Sequence, residues 1–318
     1  MKIVCTQSVF DAHDIFSTLG DVSIVADNAL CKNDLTTADA LITRSQNKID
    51  ANLLAGTAIK FVGTATSGVD HVDIDYLKQN NIIFADAKGC NANAVAEYVL
   101  ACLPATPFTI GIVGYGCVGK RLHQLLLPLK CEVLINDSPL YDAGALPEHQ
   151  DLTMLCQQAD VISLHIPLNK EKKYSTYQLI NAEFFAQCKK QPLLINAARG
   201  DVMDYPAMLH ALTQKQIANV ILDVWPNEPT PDKRYIDKAL IATPHIAGHS
   251  IEAKWQGTYQ IYQALCDYLQ IQAETKKLHY QETHAFSLTE ITRKMQAAED
   301  FNQLRKQYGN RHEQHSAI

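Results

Sequence analysis

Three side chains with complementary chemistry each follow a short apolar run in the second half of the chain. They are Arg199, Glu228 and His245: a cation, an acid and an imidazole. The apolar runs are typical of buried parallel strands and comprise residues 193–195, 220–222 and 240–242. Ligands bind beyond the carboxyl ends of the strands in an open α/β sheet, so these side chains are expected to face one crevice.

This combination suits the oxidation of a 2-hydroxy acid. The guanidinium of Arg199 can hold a substrate carboxylate through two parallel hydrogen bonds, which a lysine would not reproduce. An imidazole such as that of His245 can take the hydroxyl proton as hydride leaves the carbon, and can return it in the reverse direction. A hydrogen bond from Glu228 to the other ring nitrogen would fix the tautomer and favour the imidazolium.

Taken singly, each of these residues has a more ordinary interpretation. An arginine after a strand is usually part of a surface ion pair, and a histidine after a proline in a loop is usually structural. The catalytic hypothesis therefore depends on the joint occurrence of all three side chains and on the cofactor motif that precedes them.

That motif is a glycine pattern typical of dinucleotide binding. Gly114, Gly116 and Gly119 follow an apolar strand at 109–113 and open a helix at 118–127. Glycine permits a tight turn, close approach of the pyrophosphate and close packing of helix on strand. The amino terminus of the helix adds unpaired N–H groups and a partial positive charge that favour an anion.

An acidic residue follows the glycine pattern at the expected distance. Asp137 stands 18 positions after Gly119, at the end of the next predicted strand, 132–135. A carboxylate here can accept the ribose hydroxyls of NAD and would repel the extra phosphate of NADP. Residues 138–140 contain no arginine that could compensate. The sequence therefore predicts NAD as the cofactor.

The composition fits a soluble globular enzyme. With 318 residues, 47% of them hydrophobic, the chain is long enough to bury two cores. A net charge of −6 disfavours nucleic acid as a partner, although it leaves room for a local basic pocket. The nine cysteines show no zinc-like spacing, which predicts reduced thiols in a reducing compartment and no metal site.

No segment is predicted to enter a membrane. The first residues become polar too early for a secretory signal. The uncharged stretch 98–119 is long enough to span a bilayer, but it contains two prolines and four glycines. We interpret it as a helix end, a linker and the first cofactor strand, and we expect a cytoplasmic protein.

The amino-terminal part alternates apolar strands with helical segments, which predicts a doubly wound parallel sheet. Arg44 and Ser45 lie just past the third predicted strand, and residues 64–68 lie just past the fourth. The second of these segments offers backbone and hydroxyl donors suited to an anion. A turn satisfied by its own serine and threonine hydroxyls is an equally good interpretation.

The predicted fold class is α/β, with two doubly wound parallel-sheet domains and a short C-terminal helical appendage. Residues 1–103 are expected to form a flavodoxin-like substrate domain, completed by a helix at 251–271. Residues 104–250 are expected to form a Rossmann NAD domain, and 272–318 a dimerisation appendage.

Taken together, these motifs resemble the D-isomer-specific 2-hydroxyacid dehydrogenases. The resemblance extends over residues 63–73, residues 93–98, the glycine loop and all three candidate catalytic motifs. It implies NAD-dependent oxidation of a small phosphorylated 2-hydroxy acid by a homodimer.

The resemblance also assigns individual residues. It makes Arg199, Glu228 and His245 catalytic, and it places Ser45 and Thr66 against the substrate. The cofactor contacts that it adds to the glycine loop are Asp137, Asp223 and Gly248.

Three further positions are candidate contacts for the substrate or the cofactor. Arg44 is a candidate phosphate partner by its charge alone, with an exposed ion pair as the equal alternative. Ile166 stands where these enzymes often have a threonine near the cofactor, and His249 replaces a usual tyrosine beside the substrate.

Two rival functions stay open at this point. Another enzyme of the group, acting on lactate, glycerate or phosphoglycerate, would share the catalytic trio. A non-catalytic NAD-responsive binding protein would not need an acid–base histidine paired with a carboxylate.

Overall fold

The computed structural model describes residues 1–105, 107–171, 173–278, 287–309 and 311–314. Its strands are β1 Lys2–Thr6, β2 Asp21–Val25, β3 Ala40–Thr43, β4 Phe61–Thr64, β5 Ile83–Asp86, β6 Phe108–Val113, β7 Cys131–Asn136, β8 Val161–Leu164, β9 Leu193–Asn196, β10 Asn219–Leu222 and β11 Ile241–Ala242. Its α-helices are α1 Ala12–Phe16, α2 Ala51–Leu54, α3 Ile74–Gln79, α4 Ala92–Ala101, α5 Cys117–Leu126, α6 Ser138–Asp142, α7 Leu152–Gln158, α8 Ala182–Gln187, α9 Tyr205–Thr213, α10 Lys233–Ile236, α11 Ile251–Leu269, α12 Leu288–Gln296 and α13 Phe301–Tyr308.

The chain divides into two compact units. The first contains residues 1–91 and, from later in the chain, 250–278. The second contains residues 92–249 together with the described parts of the tail, 287–309 and 311–314. Each unit has its own parallel sheet, so the predicted fold class is confirmed.

In the first unit the sheet order is β2-β1-β3-β4-β5, with every neighbouring pair parallel. Strand β3 is buried along its whole length, which explains why it is uniformly apolar up to its last residue. Helix α11 packs on this sheet through Ile261, Tyr262 and Leu265. A Cβ on Gly63 would overlap the Ile261 side chain, so glycine allows the helix to approach β4 closely.

In the second unit the sheet order is β11-β10-β9-β8-β6-β7, again parallel throughout. The carboxyl ends of all six strands therefore lie along one edge, with β6 and β8 adjacent where the strand order reverses. Helix α4 belongs to this unit, although the sequence analysis places it at the end of the first domain. Its Val95, Tyr98 and Val99 are buried with Ile110 and Leu122, which accounts for the difference.

The described tail also packs within the second unit. The backbone N–H of Ala242 donates a hydrogen bond of 3.1 Å to Oγ1 of Thr292, so α12 lies beside the edge strand β11. The apolar side chains of the two tail helices are buried in the same cluster as Trp225 and Ile246; they are Ile291, Met295, Phe301, Leu304 and Tyr308.

None of the helices in the described part of the chain is both long and apolar enough to cross a membrane. Within the same residues, no group of three or more histidine, cysteine and acidic side chains is arranged to hold a metal ion. The nine cysteines are free thiols.

Candidate active site

The candidate catalytic residues follow three adjacent strands of the second sheet. The register pairs Leu222 of β10 with Asn196 of β9 on one side and with Ala242 of β11 on the other. Arg199 follows β9 by three positions and His245 follows β11 by three, so both lie at the same edge. The strand order therefore brings together side chains that are far apart in sequence.

The imidazole of His245 is hydrogen-bonded to Glu228. The distance between Nδ1 and Oε2 is 2.7 Å, and the other carboxylate oxygen accepts a bond of 2.8 Å from the backbone N–H of Trp225. Burial raises the pKa of Glu228, but the hydrogen bonds from His245 and Trp225 outweigh it and hold the pKa below its ordinary value. The carboxylate is therefore ionised and fixed on Nδ1.

The second ring nitrogen of His245 is directed away from this pair. Within the described part of the chain, Nε2 has no hydrogen-bond partner, and 31% of the side chain is exposed. An imidazole held on one side by a carboxylate and open on the other can exchange a proton with a bound substrate.

The backbone at His245 has an unusual conformation. Its φ of 55° lies in the left-handed region, which is uncommon for a residue other than glycine. Its N–H donates a bond of 2.7 Å to the carbonyl of Asp223. The Asp223 carboxylate, in turn, accepts the N–H groups of Ile246 at 2.8 Å and Ala247 at 2.9 Å. These bonds hold the loop that presents the imidazole.

Asp223 is 1% exposed and also accepts a hydrogen bond of 2.6 Å from Oγ1 of Thr243. Burial raises its pKa, against the opposing effects of the His245 charge and of these hydrogen bonds. Both carboxylate oxygens are thus engaged with the histidine loop. The contact between Asp223 and the cofactor, inferred from the resemblance, stays a prediction.

Tyr98 extends this network from helix α4. Its buried hydroxyl lies 2.8 Å from Oγ1 of Thr243; because that oxygen donates to Asp223, the phenol donates to the threonine. Burial raises the pKa of Tyr98 well above its ordinary value, so the phenol keeps its proton. Sequence reasoning missed Tyr98, since a tyrosine in an apolar helix carries no local signal of such a partner.

Arg199 lies in a short turn between β9 and the segment 200–202. Its Nη1 donates a bond of 2.8 Å to the carbonyl of Ala198, and its own carbonyl accepts one of 3.0 Å from the Asn196 side chain. A Cβ on Gly200 would overlap the backbone of Trp225, which leads directly to Glu228. The turn that carries the arginine is therefore packed against the segment that carries the acid.

The glycine loop has the shape that a dinucleotide requires. Gly114 has a φ of 95°, and a Cβ there would lie 2.5 Å from the carbonyl oxygen of His165. A Cβ on Gly119 would overlap the carbonyl oxygen of Gly114, whereas the open side of Gly116 has no atom within 4 Å. The loop thus combines tight packing with space for a pyrophosphate at the start of α5.

Asp137 is tied to this loop. Its Oδ2 accepts a bond of 2.8 Å from the backbone N–H of Tyr115, and its Oδ1 accepts one of 3.0 Å from Leu140. Each oxygen keeps a further lone pair for a ribose hydroxyl. These residues fit NAD.

Ile166 follows β8, beside Gly114. Its Cγ2 lies 2.9 Å from the position that a Cβ on Gly114 would take, so it packs against the turn of the glycine loop. The neighbouring His165 forms a hydrogen bond of 2.9 Å with Oγ of Ser163, and burial lowers its pKa to about 4. His165 is therefore neutral near pH 7.

Gly248 and His249 follow the catalytic histidine. The backbone N–H of His249 donates to the carbonyl of Ile246 at 2.8 Å, and its Nε2 lies 3.2 Å from Nη2 of Arg305 in helix α13. Arg305 is a charged residue beside this loop that could not be assigned a role from the sequence.

Arg44, Ser45 and Thr66 belong to the first unit. The register pairs Thr43 with Thr64, so these residues follow adjacent strands at the carboxyl edge of that sheet. Oγ1 of Thr66 lies 2.9 Å from Oγ1 of Thr64 and donates to the carbonyl of Gly68 at 2.9 Å. These bonds are those of a turn satisfied by its own hydroxyls; the roles in substrate binding stay predictions.

Comparisons with known proteins agree with this geometry. Residues 94–247 match the family model described as D-isomer specific 2-hydroxyacid dehydrogenase, NAD binding domain. The chain is 44% identical, over 85% of its length and 74% of the relative's, to an erythronate-4-phosphate dehydrogenase of Proteus mirabilis. It is 41% identical, over the same shares, to one of Escherichia coli. An NAD⁺-bound 3-phosphoglycerate dehydrogenase of Entamoeba histolytica shares the fold, with a TM-score of 0.71, 23% identity, and coverage of 88% of this chain and 99% of that one.

Proposed function

Since this chain belongs to the D-isomer-specific 2-hydroxyacid dehydrogenase family, we propose that it oxidises 4-phospho-D-erythronate to 2-oxo-3-hydroxy-4-phosphobutanoate. NAD is the hydride acceptor, and the reaction is a step of pyridoxal 5′-phosphate biosynthesis. The observation that carries the proposal is the 2.7 Å hydrogen bond between His245 and Glu228, with the other ring nitrogen open to a substrate. The relatives that carry the name erythronate-4-phosphate dehydrogenase support the choice of substrate.

The proton is handled by His245. Oxidation of the C2 hydroxyl releases one proton from oxygen, and Nε2 of His245 takes it as general base. The imidazolium that results is stabilised by Glu228, which is ionised because its pKa is held below the ordinary value. In the reverse direction the same nitrogen returns the proton to the 2-oxo group.

Arg199 orients the substrate. A guanidinium can bind the C1 carboxylate through two parallel hydrogen bonds, which would fix C2 relative to the imidazole. The same positive charge polarises the neighbouring oxygen as the C2–O bond becomes a carbonyl. A point charge on a flexible lysine would provide the attraction without the orientation.

The cofactor would be held by the glycine loop and Asp137. Gly114, Gly116 and Gly119 leave room for the pyrophosphate at the start of α5, and Asp137 would accept the ribose hydroxyls. When bound, NAD supplies the ring carbon that accepts the hydride. We place Ile166, Asp223 and Gly248 near the nicotinamide, in keeping with their positions after β8, β10 and β11.

The remaining substrate contacts are proposed for Ser45, Thr66, Arg44 and His249. The first three follow adjacent strands of the first sheet, which supports a common role. We propose that the first unit, residues 1–91 with the helix at 251–269, forms the substrate domain and that residues 92–249 of the second unit form the NAD domain. We further propose a cytoplasmic homodimer whose contact uses 272–318, which light scattering after size exclusion would check.

The test is turnover with a panel of 2-hydroxy acids, followed by NADH fluorescence. We expect kcat/KM to be highest for 4-phospho-D-erythronate among 4-phosphoerythronate, erythronate, lactate, glycerate and 3-phosphoglycerate. A preference for one of the other acids would reject the proposed substrate but keep the reaction class. Binding of NAD without turnover on any acid would reject the reaction class as well.

A further inference from the structure

We infer that Arg305, presented by the C-terminal helix α13, binds the phosphate group of the substrate beside the catalytic histidine loop. The inference rests on the proposed function and adds a specificity-determining residue to it. Arg305 lies 106 positions beyond Arg199 in sequence, in an amphipathic helix whose pattern alone does not indicate a role in the site.

Two observations place Arg305 near the catalytic residues. Its Nη2 lies 3.2 Å from Nε2 of His249, four positions after His245. Its charge also contributes to lowering the pKa of Glu228, so the guanidinium is within electrostatic range of the catalytic pair. Arg305 therefore belongs to the same edge of the second sheet as the proton-transfer residues.

The charge of Arg305 lacks a counter-ion within the chain as described. No carboxylate of the described residues lies within salt-bridge distance of it, and its buried Nε has no hydrogen-bond partner among them. Burial lowers the pKa of Arg305. The negative charges of Glu228 and Asp223, which lie farther away, raise that pKa again in part. A cation withdrawn from water without a bound anion is unfavourable, so the site favours an anionic ligand.

The segment around Arg305 is anchored on both sides. Before it, Phe301 and Leu304 are buried in the core of the second unit. After it, Arg311 donates hydrogen bonds of 2.7 Å to the carbonyls of Ala94 and Ala247. The second of these bonds ties the tail to the histidine loop itself. A guanidinium fixed in this way is preorganised for a ligand, which reduces the entropy lost on binding.

A phosphate is the better assignment for the anion. The carboxylate of the substrate already has a partner in Arg199, which follows β9, whereas Arg305 approaches the loop that follows β11. A guanidinium offers two parallel donors to phosphate oxygens, which matches the geometry of a bound phosphate. Arg305 would therefore select the phosphorylated acid over its unphosphorylated analogue.

The experiment compares Arg305→Met and Arg305→Lys with Arg293→Met, a matched control that removes an exposed arginine of the neighbouring helix α12. The readouts are kcat and KM for 4-phospho-D-erythronate and for erythronate. We expect Arg305→Met to reduce the kcat/KM preference for the phosphorylated substrate by about 10- to 100-fold, as loss of a charge-assisted bond predicts. The loss should appear mainly in KM, Arg305→Lys should restore part of the preference, and Arg293→Met should behave as wild type.

Other outcomes separate the two proposals. An equal loss on both substrates, or an unchanged preference in Arg305→Met, would overturn the role of Arg305 and leave the proposed function intact. Arg305→Gln, which also removes the charge, takes the place of the methionine variant should that variant not fold. If wild type does not use 4-phosphoerythronate, the proposed function fails and inorganic phosphate becomes the probe. Calorimetric binding of phosphate to the NAD-loaded protein that is weakened by Arg305→Met would then support the anion site, and equal binding would overturn it.

Discussion

Gly200 and Trp225 are in such close contact that any side chain at position 200 would have to displace the Trp225 backbone. A Cβ there would overlap the backbone carbonyl of Trp225. The contact joins the turn that carries Arg199 to the segment that carries Glu228. The geometry of the candidate site thus depends on a residue with no chemistry of its own.

Gly200→Ala should therefore lower both stability and turnover. The added methyl must displace the Trp225 backbone, and overpacking of this kind costs about 1–3 kcal/mol of unfolding free energy. Chemical denaturation and steady-state kinetics measure the two effects. Gly116→Ala is the control, since its Cβ would meet open space: it should unfold like wild type and raise the KM for NAD. If Gly200→Ala is as stable as wild type, the close packing of Gly200 on Trp225 does not constrain this turn.

His245→Asn should reduce kcat by a factor on the order of 10² or more while the affinity for NAD stays close to that of wild type. Asparagine tolerates the left-handed backbone at this position, so the loop should keep its shape. Single-turnover kinetics and NAD titration give the two quantities. Retained turnover would remove His245 from the role of general base.

Asp223→Asn should disturb the histidine loop more than Tyr98→Phe does. An amide oriented to accept one loop N–H presents its own N–H₂ to the other, so one of the bonds from Ile246 and Ala247 is lost. Tyr98→Phe removes a single hydrogen bond to Thr243, which costs about 1 kcal/mol. We expect a larger fall in both melting temperature and kcat for Asp223→Asn. If the two variants lose melting temperature and kcat to the same extent, the bonds from Asp223 to Ile246 and Ala247 are not what holds the loop.

His165 should make stability depend on pH. Its pKa in the folded protein is about 4, whereas an unfolded histidine titrates near 6.5, so between these values the unfolded chain binds more protons. The contribution of His165 to the free energy of unfolding should be fully present above about pH 6.5. It should be lost as the pH drops towards 4, which lowers the free energy of unfolding by roughly 1–3 kcal/mol.

Urea unfolding of His165→Gln across this pH range measures the effect. The variant should lose the part of the pH dependence that His165 contributes, whereas His13→Gln, a change at an exposed position, should keep it. The same slope in both variants would show that His165 is not the group responsible.

Much of the fold follows from local pattern. Strand β3, the third strand predicted from the sequence, is apolar up to Thr43 because a strand buried on both faces in a parallel sheet needs apolar residues. Helix α3 is one of the helical segments expected between these strands, and the Asp73 side chain accepts a hydrogen bond from the N–H of Tyr76 at its start. The catalytic trio and the glycine loop could be recognised because each directly follows such a strand.

Other features depend on contacts with residues remote in sequence, which a local pattern does not predict. Strand β8 was not assigned from the sequence, and helix α4 lies in the second unit because of what it packs against. The tail was predicted as a helical appendage, but the amphipathic pattern of its helix at 301–308 fits an exposed tail as well as a packed one. Only the burial of Phe301 and Leu304 in the second core decides between them.

The sequence by itself thus determined the chemistry of the site, through the residue types and their positions directly after strands. Parallel strands place their carboxyl ends at one edge of the sheet, however long the segments between them are. The arrangement around that site was decided by long-range packing. Tyr98 on Thr243, Gly200 on Trp225 and Arg305 beside His249 each join segments remote in sequence. Such contacts depend on the registry of whole helices and loops, which local residue patterns do not encode.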